Sequence, residues 1–554
     1  MPVRPYEPTG RDVGGRSKRA KRSGAVVVIA LVAVATASAA RIVGTRHNDL
    51  IQAVNGHRDV ITCGRGRDVV TAEARDRVAR SCEIVTREIS TDPYRNPASQ
   101  HATEVEPDTS SWGSKVVAVF QAGRIADGGA ANIGWATSRN GGRTWTHGFL
   151  PGLTPSSKPA GTWPRATDPS IAYDAQHGVW LVASLTFGGS DSALLISRST
   201  DGLHWSQPVL ATQRNGFALD KQWIACDNWA ASPFRGHCYL SYDDLISNQI
   251  ETNFSTDGGL TWQGPTDFPG AGRASINGPA APGVQPVARP DGTVLIPYFD
   301  NTQISVLRSV DGGLTWLPPT AVAPASYHPV SGLRVAPLPS AEAGPDGAVY
   351  VAWSDCAPTA SCVSNRLLVA RSADGVTWSP PVRVPTGTAD VELPGIAADP
   401  AGRGRVALAY YRVRNGSVDV FFTSSRNGGS TWRTPQPLSS RSTPFAWLAS
   451  AGGAMVGDYI STSFAGGKAV SVFALGFKPR RGRLHESMFA TALTVPHPLA
   501  PGARRPRAPA TRGSHPRRVL RPPRRSRRRQ GSRVDAGRGT RRPRAPSSGR
   551  VAPR

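Results

Sequence analysis

The middle of the chain consists of short apolar runs separated by turn residues. Runs rich in Val, Ile, Tyr and Phe recur between clusters of Gly, Pro and Asp, for example at residues 169–174, 222–227, 304–309 and 349–353. One run opens each recurring segment, a second follows, and a third leads into a polar turn. Such runs are typical of β-strands, and no long apolar stretch with a helical period appears outside the N-terminus. The pattern therefore predicts an all-β protein.

The polar turns share one motif, Ser-x-Asp/Asn-x-Gly-x-Thr-Trp, of which two copies are one residue short. Its Asp or Asn can accept hydrogen bonds from nearby backbone N–H groups, its Gly supplies a positive φ, and its Trp can cover the turn. Six copies follow one another at steps of 53 to 63 residues, and they begin at Ser138, Ser199, Ser255, Ser309, Ser372 and Ser425. Steps of this size fit four-stranded units in a repeat architecture.

This motif resembles the Asp-box, or bacterial neuraminidase repeat, of the sialidase-type β-propellers. The resemblance covers about residues 100–495. It implies a β-propeller over residues 91–499, in which the turns lie on the outer rim and their Asp residues are structural. Residues 455–495 hold a further unit without the motif. Seven four-stranded blades are therefore favoured, and six blades are the alternative.

Both ends of the chain differ from its middle. Residues 1–40 are predicted to be a secretory signal peptide, because basic residues precede an apolar run at 25–35 and a small-x-small cleavage signal at 37–39. An uncleaved anchor is the alternative, and we expect no transmembrane span in the mature chain. Residues 500–554 are rich in Arg and Pro and poor in apolar residues, which predicts a disordered tail. Three interpretations of this tail stay open: a polycationic arm that binds acidic envelope polymers, an unused linker, or an artefact of translation.

The formal net charge of +26 is concentrated at these ends. Residues 501–554 contain 19 Arg and one acidic residue, Asp535, and the leader is basic as well. The body between them is close to neutral, so it lacks the basic surface typical of nucleic-acid-binding proteins. We therefore expect a secreted, extracellular monomer whose partner is a glycan or a cell-envelope polysaccharide, without specific nucleic-acid binding.

Six cysteines in a chain with a predicted secretory leader suggest three disulfides. Other connectivities are open, but proximity in the sequence favours the pairs Cys63–Cys82, Cys226–Cys238 and Cys356–Cys362. No cluster of Cys or His has the spacing of zinc ligands.

A second, smaller repeat occupies residues 41–90. Its copies contain Asp49, Asp59, Asp68 and Asp76. The third copy, Gly64-Arg-Gly-Arg-Asp68, resembles the Gly-x-Gly-x-Asp nonapeptide of the calcium-binding (RTX-type) β-rolls. The resemblance implies a small β-roll-like module and makes the first three of these carboxylates candidate Ca²⁺ ligands. The alternative is a disulfide-stapled roll without metal, in which Arg–Asp pairs replace the ion.

Binding sites in a propeller form at the channel mouth, where the innermost strand of each blade begins. The predicted strand openings carry a mixed-charge set with aromatic members: Arg165, Asp168, Asp220, Lys221, Trp223, Gln285, Arg334, Glu392, Asp458 and Tyr459. Such a set suits an anionic or hydroxyl-rich ligand such as a sugar.

The resemblance to sialidases implies roles for part of this set. Sialidases clamp the substrate carboxylate with three arginines, and they use a Tyr activated by a Glu as nucleophile and an Asp as acid/base. Carried over to this chain, Tyr459 is the nucleophile, Glu392 its activating group and Asp168 the acid/base. The clamp consists of Arg165, Arg334 and Arg412. The implied activity is that of a retaining exo-α-sialidase, a glycoside hydrolase that acts on terminal acidic sugars and requires no cofactor.

Two other functions are compatible with the same sequence. One is a non-catalytic secreted propeller that binds glycans, cell-wall polymer or a protein partner. The other is a structural or interaction scaffold, which side chains plugging the channel mouth would indicate. The arrangement of the three arginines at the mouth distinguishes the sialidase from both.

Overall fold

The computed structural model describes residues 40–264, 274–275, 283–402 and 404–497. This part of the chain consists of β-strands with two short 3-10 helices, Ala360–Cys362 and Phe445–Trp447, which confirms the all-β prediction. In these same residues no helix has the length and apolarity needed to cross a membrane. The predicted signal peptide and the Arg-rich tail lie outside the described residues.

The N-terminal module contains six short strands: β1 (Arg41–Val43), β2 (Leu50–Gln52), β3 (Val60–Thr62), β4 (Val69–Ala72), β5 (Arg77–Val78) and β6 (Ile84–Glu88). The strands alternate between two parallel rows, β1-β3-β5 and β2-β4-β6. A disulfide joins Cys63 to Cys82 across the apolar interior between them. The interior is small, so the disulfide supplies stability that the apolar contacts alone would not.

Six antiparallel units of four strands follow, of which the first two are joined into one eight-stranded sheet by the pairing of Ala166 with Ala130. The first two are β7 (Glu104–Trp112), β8 (Lys115–Arg124), β9 (Ala130–Ser138) and β10 (Thr146–Phe149), then β11 (Arg165–Asp174), β12 (Val179–Gly188), β13 (Asp191–Ser199) and β14 (Val209–Asn215). The third and fourth are β15 (Leu219–Cys226), β16 (Cys238–Asp244), β17 (Gln249–Ser255) and β18 (Ala274–Ser275), then β19 (Val287–Ala288), β20 (Val294–Phe299), β21 (Gln303–Ser309) and β22 (Leu317–Pro324). The fifth and sixth are β23 (Ser340–Ala343), β24 (Val349–Asp355), β25 (Arg366–Ser372) and β26 (Val382–Arg383), then β27 (Asp390–Ala398), β28 (Val406–Arg414), β29 (Ser417–Ser425) and β30 (Gln436–Pro437).

The seventh unit combines strands from both ends of the described chain. Three short pairing segments precede it: β31 (Thr443–Pro444), β32 (Ala449–Ser450) and β33 (Ala454–Met455). Its own strands are β34 (Ser461–Ala465), β35 (Lys468–Gly476) and β36 (Glu486–Thr494). The fourth strand is β6 of the N-terminal module, which pairs antiparallel with β36. The module and the last unit therefore share one sheet.

The first strands of the units contact one another in a closed cycle, from β7 through β11, β15, β19, β23 and β27 to β34 and back to β7. Side chains reinforce five of these junctions, because an oxygen on one strand accepts a hydrogen bond from a backbone N–H of a neighbouring first strand. The acceptor and donor residues are Asp108 and Ile171, Ser170 and Ile224, Gln285 and Ala341, Ser340 and Ile396, and Ser461 and Thr109, at 2.8 to 3.2 Å. Adjacent units also bury apolar cores between them.

Each of the six turn motifs connects the third strand of a unit to the fourth. In the copy at Ser309, the Ser hydroxyl donates to Asp311 Oδ1 at 2.9 Å and accepts from the Gly313 N–H at 2.9 Å. The Asp311 carboxylate also accepts from the Thr315 N–H and hydroxyl. Gly313 has a φ of 92°, where a β-carbon would be strained. The turn is thus held by its own polar groups.

We expect Asp311→Ala to lower the free energy of unfolding by about 1–2 kcal/mol, because several backbone and hydroxyl donors lose their acceptor. Asp311→Asn is the matched control and should cost much less, since Asn140 and Asn427 occupy the same position in two other copies and make equivalent bonds. Denaturant unfolding of the three proteins measures the effect. Equal losses in both variants would contradict this account of the turn.

Candidate functional site

A cluster of charged side chains lies near the start of several first strands; we call Glu106, Asp168, Lys221, Arg334 and Asp458 the mouth cluster. Four of these side chains are at most 11% exposed, whereas that of Arg334 is 34% exposed. Lys221 Nζ lies 2.6 Å from Asp458 Oδ2 and 3.8 Å from Asp168 Oδ2. Arg334 pairs closely with the other oxygen of Asp458, and its Nη1 lies 3.9 Å from Glu106 Oε1. The two cations thus share one carboxylate and each reaches a second.

The backbone explains why these side chains meet. Glu106, Asp168 and Lys221 have φ values of 56°, 45° and 52°, and the pairing register slips at the same place in β7, β11 and β15. A left-handed residue at a bulge re-aims its side chain at a cost in backbone energy. Leu393 repeats this conformation in β27 with a φ of 54°. Equivalent bulges therefore direct one side chain from each of four units toward the same region.

The carboxyl groups of the cluster differ in the direction of their pKa shifts. Burial, followed by the charges of Asp168 and Asp458, raises the pKa of Glu106 to about 8. At Asp458 burial acts to raise the pKa, but the Lys221 ammonium and the Arg334 guanidinium prevail and hold it at about 2. Near neutral pH, Asp458 is therefore ionised while most of Glu106 keeps its proton. The charges of the cluster largely cancel.

Two further carboxyl groups adjoin the cluster, because Asp220 and Asp243 are partners in the pairing of β15 with β16. Burial raises the pKa of Asp220 to about 6, and Lys221 Nζ lies 3.5 Å from its Oδ1. Burial, together with the charge of Asp220, raises the pKa of Asp243 well above its usual value. Burial therefore favours the protonated, uncharged form of Asp243.

The structure does not bring the predicted nucleophile and its predicted activating group together. The Tyr459 hydroxyl donates to the backbone carbonyl of Pro169 at 3.1 Å, and its ring packs edge-on against Trp223 with centroids 4.9 Å apart. Burial and surrounding carboxylates raise the pKa of Tyr459 well above its usual value. The hydroxyl of this tyrosine is protonated and bonded to the backbone, and its role as a nucleophile stays a prediction.

Glu392 has a different tyrosine as its neighbour. Its carboxyl accepts from Asn365 Nδ2 at 2.7 Å and from the Tyr327 hydroxyl at 3.3 Å. Burial raises the pKa of Glu392 to about 8. Glu392 and Tyr459 thus have different hydrogen-bond partners in the described structure, and activation of Tyr459 by Glu392 stays a prediction.

Only one of the three predicted clamp arginines belongs to the mouth cluster. Arg334 does, whereas Arg165 pairs with the exposed Asp127 at 2.8 Å. Arg412 lies on β28, the second strand of its unit, where it pairs with Asp419 at 3.1 Å and stacks over Phe421. The expected convergence of three arginines is therefore absent from the described structure.

Two residues of this region were missed by the sequence analysis. Glu106 is one, and its signal is the dipeptide Glu106-Pro107, which matches Asp168-Pro169 at the same bulge of the next unit. Arg124 is the other; it is buried, and it donates to Gln121 Oε1 at 2.8 Å. Gln121 in turn donates to Glu106. Arg124 thus supports the cluster through an intervening amide.

Beyond the mouth cluster, the first strands of all seven units line a cavity of about 750 Å³, which we call the axial cavity. Five aromatic residues contribute to its wall: Trp112, Tyr173, Trp223, Trp229 and the buried Phe464. Trp112 is 48% exposed, and its ring centroid lies 5.3 Å from that of Tyr173. A much smaller cavity of about 30 Å³, lined by Lys221, Leu393 and Tyr459 among others, lies beside the mouth cluster. Open space is therefore concentrated in the axial cavity.

Two carboxyl groups in the axial cavity have no cationic partner in the described structure. Asp108 accepts from the Ile171 N–H at 2.8 Å, and Glu342 accepts from the Ala343 N–H at 3.2 Å. Burial raises the pKa of each to about 7, and for Glu342 the charge of Asp108 adds to the effect. Both groups are therefore partly protonated near neutral pH.

The candidate calcium ligands of the N-terminal module are occupied by backbone donors. Asp68 accepts from the Asp49 N–H at 2.8 Å, and Asp59 accepts from the Ala40 N–H at 3.0 Å. Asp49 accepts from the N–H and the hydroxyl of Thr45. Carboxylates here link successive coils, and the described residues contain no group of three potential metal ligands. We therefore do not propose calcium binding.

The six cysteines form the three favoured pairs, Cys63–Cys82, Cys226–Cys238 and Cys356–Cys362. The second bridge links directly opposite positions of β15 and β16. Three disulfides are consistent with an oxidising, extracellular environment.

Comparisons with known proteins gave matches among solved structures. No protein-family profile and no curated protein matches the chain. A leech intramolecular trans-sialidase has a TM-score of 0.41 and 13% identity, covering 56% of this chain and 65% of its own. The Hadza microbial sialidase Hz136 has a TM-score of 0.40 and 16% identity, and the match covers 56% of this chain and 63% of the sialidase. An ulvan lyase of polysaccharide lyase family PL25 has a TM-score of 0.41 and 12% identity, and the match covers 74% of this chain and 95% of the lyase. This chain thus spans less than two thirds of the length of the two sialidases.

The raised pKa of Glu106 predicts a pH-dependent effect of Glu106→Gln. The folded protein keeps a proton that the unfolded chain releases, so the stability contributed at this position is fully present below the unfolded pKa near 4.5 and is lost as the pH rises through about 8. Gln mimics the protonated acid. The melting temperature of the variant, relative to that of the unmodified protein, should therefore increase between pH 5 and pH 9.

Asp127→Asn is the control for this measurement. Asp127 is exposed, and its hydrogen bond and ion pair with Arg165 lower its pKa, so its carboxylate is ionised throughout that range. The difference in melting temperature between Asp127→Asn and the unmodified protein should stay constant from pH 5 to pH 9. A constant difference for Glu106→Gln as well would refute the assigned protonation state.

Proposed function

We propose that residues 91–499, completed by β6, form a seven-bladed β-propeller of a secreted protein that binds a glycan in the axial cavity without cleaving it. The observation that carries this proposal is the wall of that cavity, to which every unit contributes, with aromatic rings among hydroxyl, amide and carboxyl groups. Concave sites that combine apolar faces with a few polar groups are typical of small-ligand binding. Its volume of about 750 Å³ is large enough for an oligosaccharide segment.

Four of the five aromatic residues of the wall are available for contact. Trp112, Tyr173, Trp223 and Trp229 all retain exposed surface. The indole N–H of Trp229 is already bonded to the Ala288 carbonyl at 2.8 Å, which holds that ring in place. Fixed aromatic faces give contact area at a low cost in side-chain entropy. They suit the flat, C–H-rich faces of sugar rings.

The mouth cluster favours binding without catalysis. Its carboxylates and cations neutralise one another, and the Tyr459 hydroxyl is engaged by a backbone carbonyl. A substrate carboxylate would have to break these ion pairs, and separating a buried pair costs several kcal/mol, on the order of 3–5. The ion pairs therefore act as a structural closure of this end.

An exo-α-sialidase of the retaining type is the second candidate. It is favoured by one observation: Asp168 and Arg334 belong to the same buried cluster, and the charge of Asp168 contributes to the raised pKa of Tyr459. An acid/base, one clamp arginine and a tyrosine are thus electrostatically linked. This candidate requires the cluster to rearrange around the substrate.

We expect Trp112→Ala to weaken glycan binding about tenfold, which corresponds to the loss of an aromatic contact worth about 1–1.5 kcal/mol. A glycan array probed with the full-length secreted chain identifies the ligand, and calorimetry with that ligand measures the loss. Trp447→Ala is the matched control, because Trp447 is partly exposed and does not line the axial cavity. Binding to no glycan, or an equal loss in both variants, would contradict the proposal.

The catalytic alternative is tested with a fluorogenic sialic acid conjugate. We expect the unmodified protein to release no more fluorophore than Tyr459→Phe or a blank, because the Tyr459 hydroxyl is bonded to a backbone carbonyl and its pKa is raised. Turnover that is lost in Tyr459→Phe, with the melting temperature unchanged, would establish the sialidase and overturn the non-catalytic proposal.

A further inference from the structure

The axial cavity is asymmetric in charge. Its described lining contains three carboxyl groups, those of Asp108, Glu342 and Asp399, and neither Lys nor Arg. Asp399 is neutralised by a close pair with the buried Arg405. Asp108 and Glu342 have no such partner in the described residues. An uncompensated acidic pair therefore faces the open space.

These two carboxyl groups come from different sides of the ring of strands. Asp108 lies on β7 of the first unit and Glu342 on β23 of the fifth. Asp108 is 3% exposed, while Glu342 is reachable from the cavity and accepts its one hydrogen bond from the adjacent Ala343 N–H. Each group is affected by burial, and the charge of one raises the pKa of the other. A cation placed in the cavity would relieve both penalties.

We propose that the axial cavity selects glycans that carry a protonated amine, such as oligomers of glucosamine, over their N-acetylated counterparts and over acidic sugars. This inference rests on the proposed glycan binding and specifies its ligand class. The ammonium group would approach the carboxylates of Glu342 and Asp108. The aromatic faces of Trp112 and Trp229 add a favourable environment for a cation.

Acidic sugars meet the opposite situation. A carboxylate ligand would enter a cavity whose described lining offers it no cation, and it would face two acids whose ionised fractions carry its own sign. An unpaired charge in such surroundings is strongly disfavoured. The cavity is thus expected to discriminate against terminal acidic sugars, in contrast to the ligand class implied by the sialidase resemblance.

Calorimetric titration of the full chain at pH 6.5 with three probes tests the inference: the glucosamine tetramer, the N-acetylglucosamine tetramer and sialyllactose. We expect the glucosamine tetramer to bind at least about tenfold more tightly than the acetylated one, and sialyllactose to bind the weakest. Binding of the glucosamine tetramer should also release protons, because its ammonium groups lower the pKa of carboxyl groups in the cavity that are partly protonated. The measured heat should therefore change with the ionisation enthalpy of the buffer.

Glu342→Gln should reduce the preference for the amine over the acetylated tetramer to about one- to threefold. Asp108→Asn provides a second variant with the same expectation if the first does not fold. Asp127→Asn removes an acidic group outside the cavity and should leave the preference intact. Thermal melting of each variant checks that it is folded.

The outcomes separate this inference from the proposed function. If the acetylated tetramer or another neutral glycan binds as tightly as the glucosamine tetramer, the amine preference is refuted while glycan binding stands. If sialyllactose binds the most tightly, the charge argument is refuted. If no glycan binds at all, both proposals fail. A preference for the amine that survives Glu342→Gln and Asp108→Asn would also overturn the assignment to this cavity.

Discussion

The fold depends on the pairing of β6 with β36. This pairing brings a strand from the beginning of the described chain into the last unit, at Glu88 opposite Phe489 and Thr86 opposite Thr491. Without it the seventh unit would expose the edge of β36, and an open edge is a liability that closed arrangements avoid. The Thr86 hydroxyl also lies in hydrogen-bond contact with Thr491. Closure therefore joins two segments about 400 residues apart, and it sets the first strands in a cycle.

Once the cycle is closed, the first strands need lateral partners, because each faces its neighbours across a gap that backbone pairing does not bridge. The side-chain-to-backbone bonds from Asp108, Ser170, Gln285, Ser340 and Ser461 supply them. Asp108, Gln285, Ser340 and Ser461 also line the axial cavity. At these four positions one side chain thus both bonds to a neighbouring unit and contributes to the cavity wall.

Much of this arrangement could be predicted from the sequence, because turns and strands are encoded locally. The polar turns and the charged strand openings recur in each unit, and Asp168, Lys221, Arg334 and Asp458 were expected near one another for that reason. The partners of Arg165, Arg412 and Glu392 could not be predicted. Asp127 lies between β8 and β9, Asp419 on β29 and Asn365 directly before β25, and these partners determine where those three side chains point. Local repetition specifies the backbone, whereas side-chain pairing depends on neighbours that only the folded chain brings together.

Buried carboxyl groups are stabilised in different ways in the mouth cluster and in the axial cavity. At the mouth, carboxylates remain charged because Lys221 and Arg334 neutralise them, and such pairs leave little for a ligand to gain. In the axial cavity, Asp108 and Glu342 reduce their charge by holding protons. A buried acid that is neutral only through protonation can exchange its proton for another cation at small cost, whereas an ion pair must first be broken. A charged ligand can therefore bind favourably in the axial cavity rather than at the mouth cluster. Because the uncompensated groups of the cavity are acids, that ligand should be a cation.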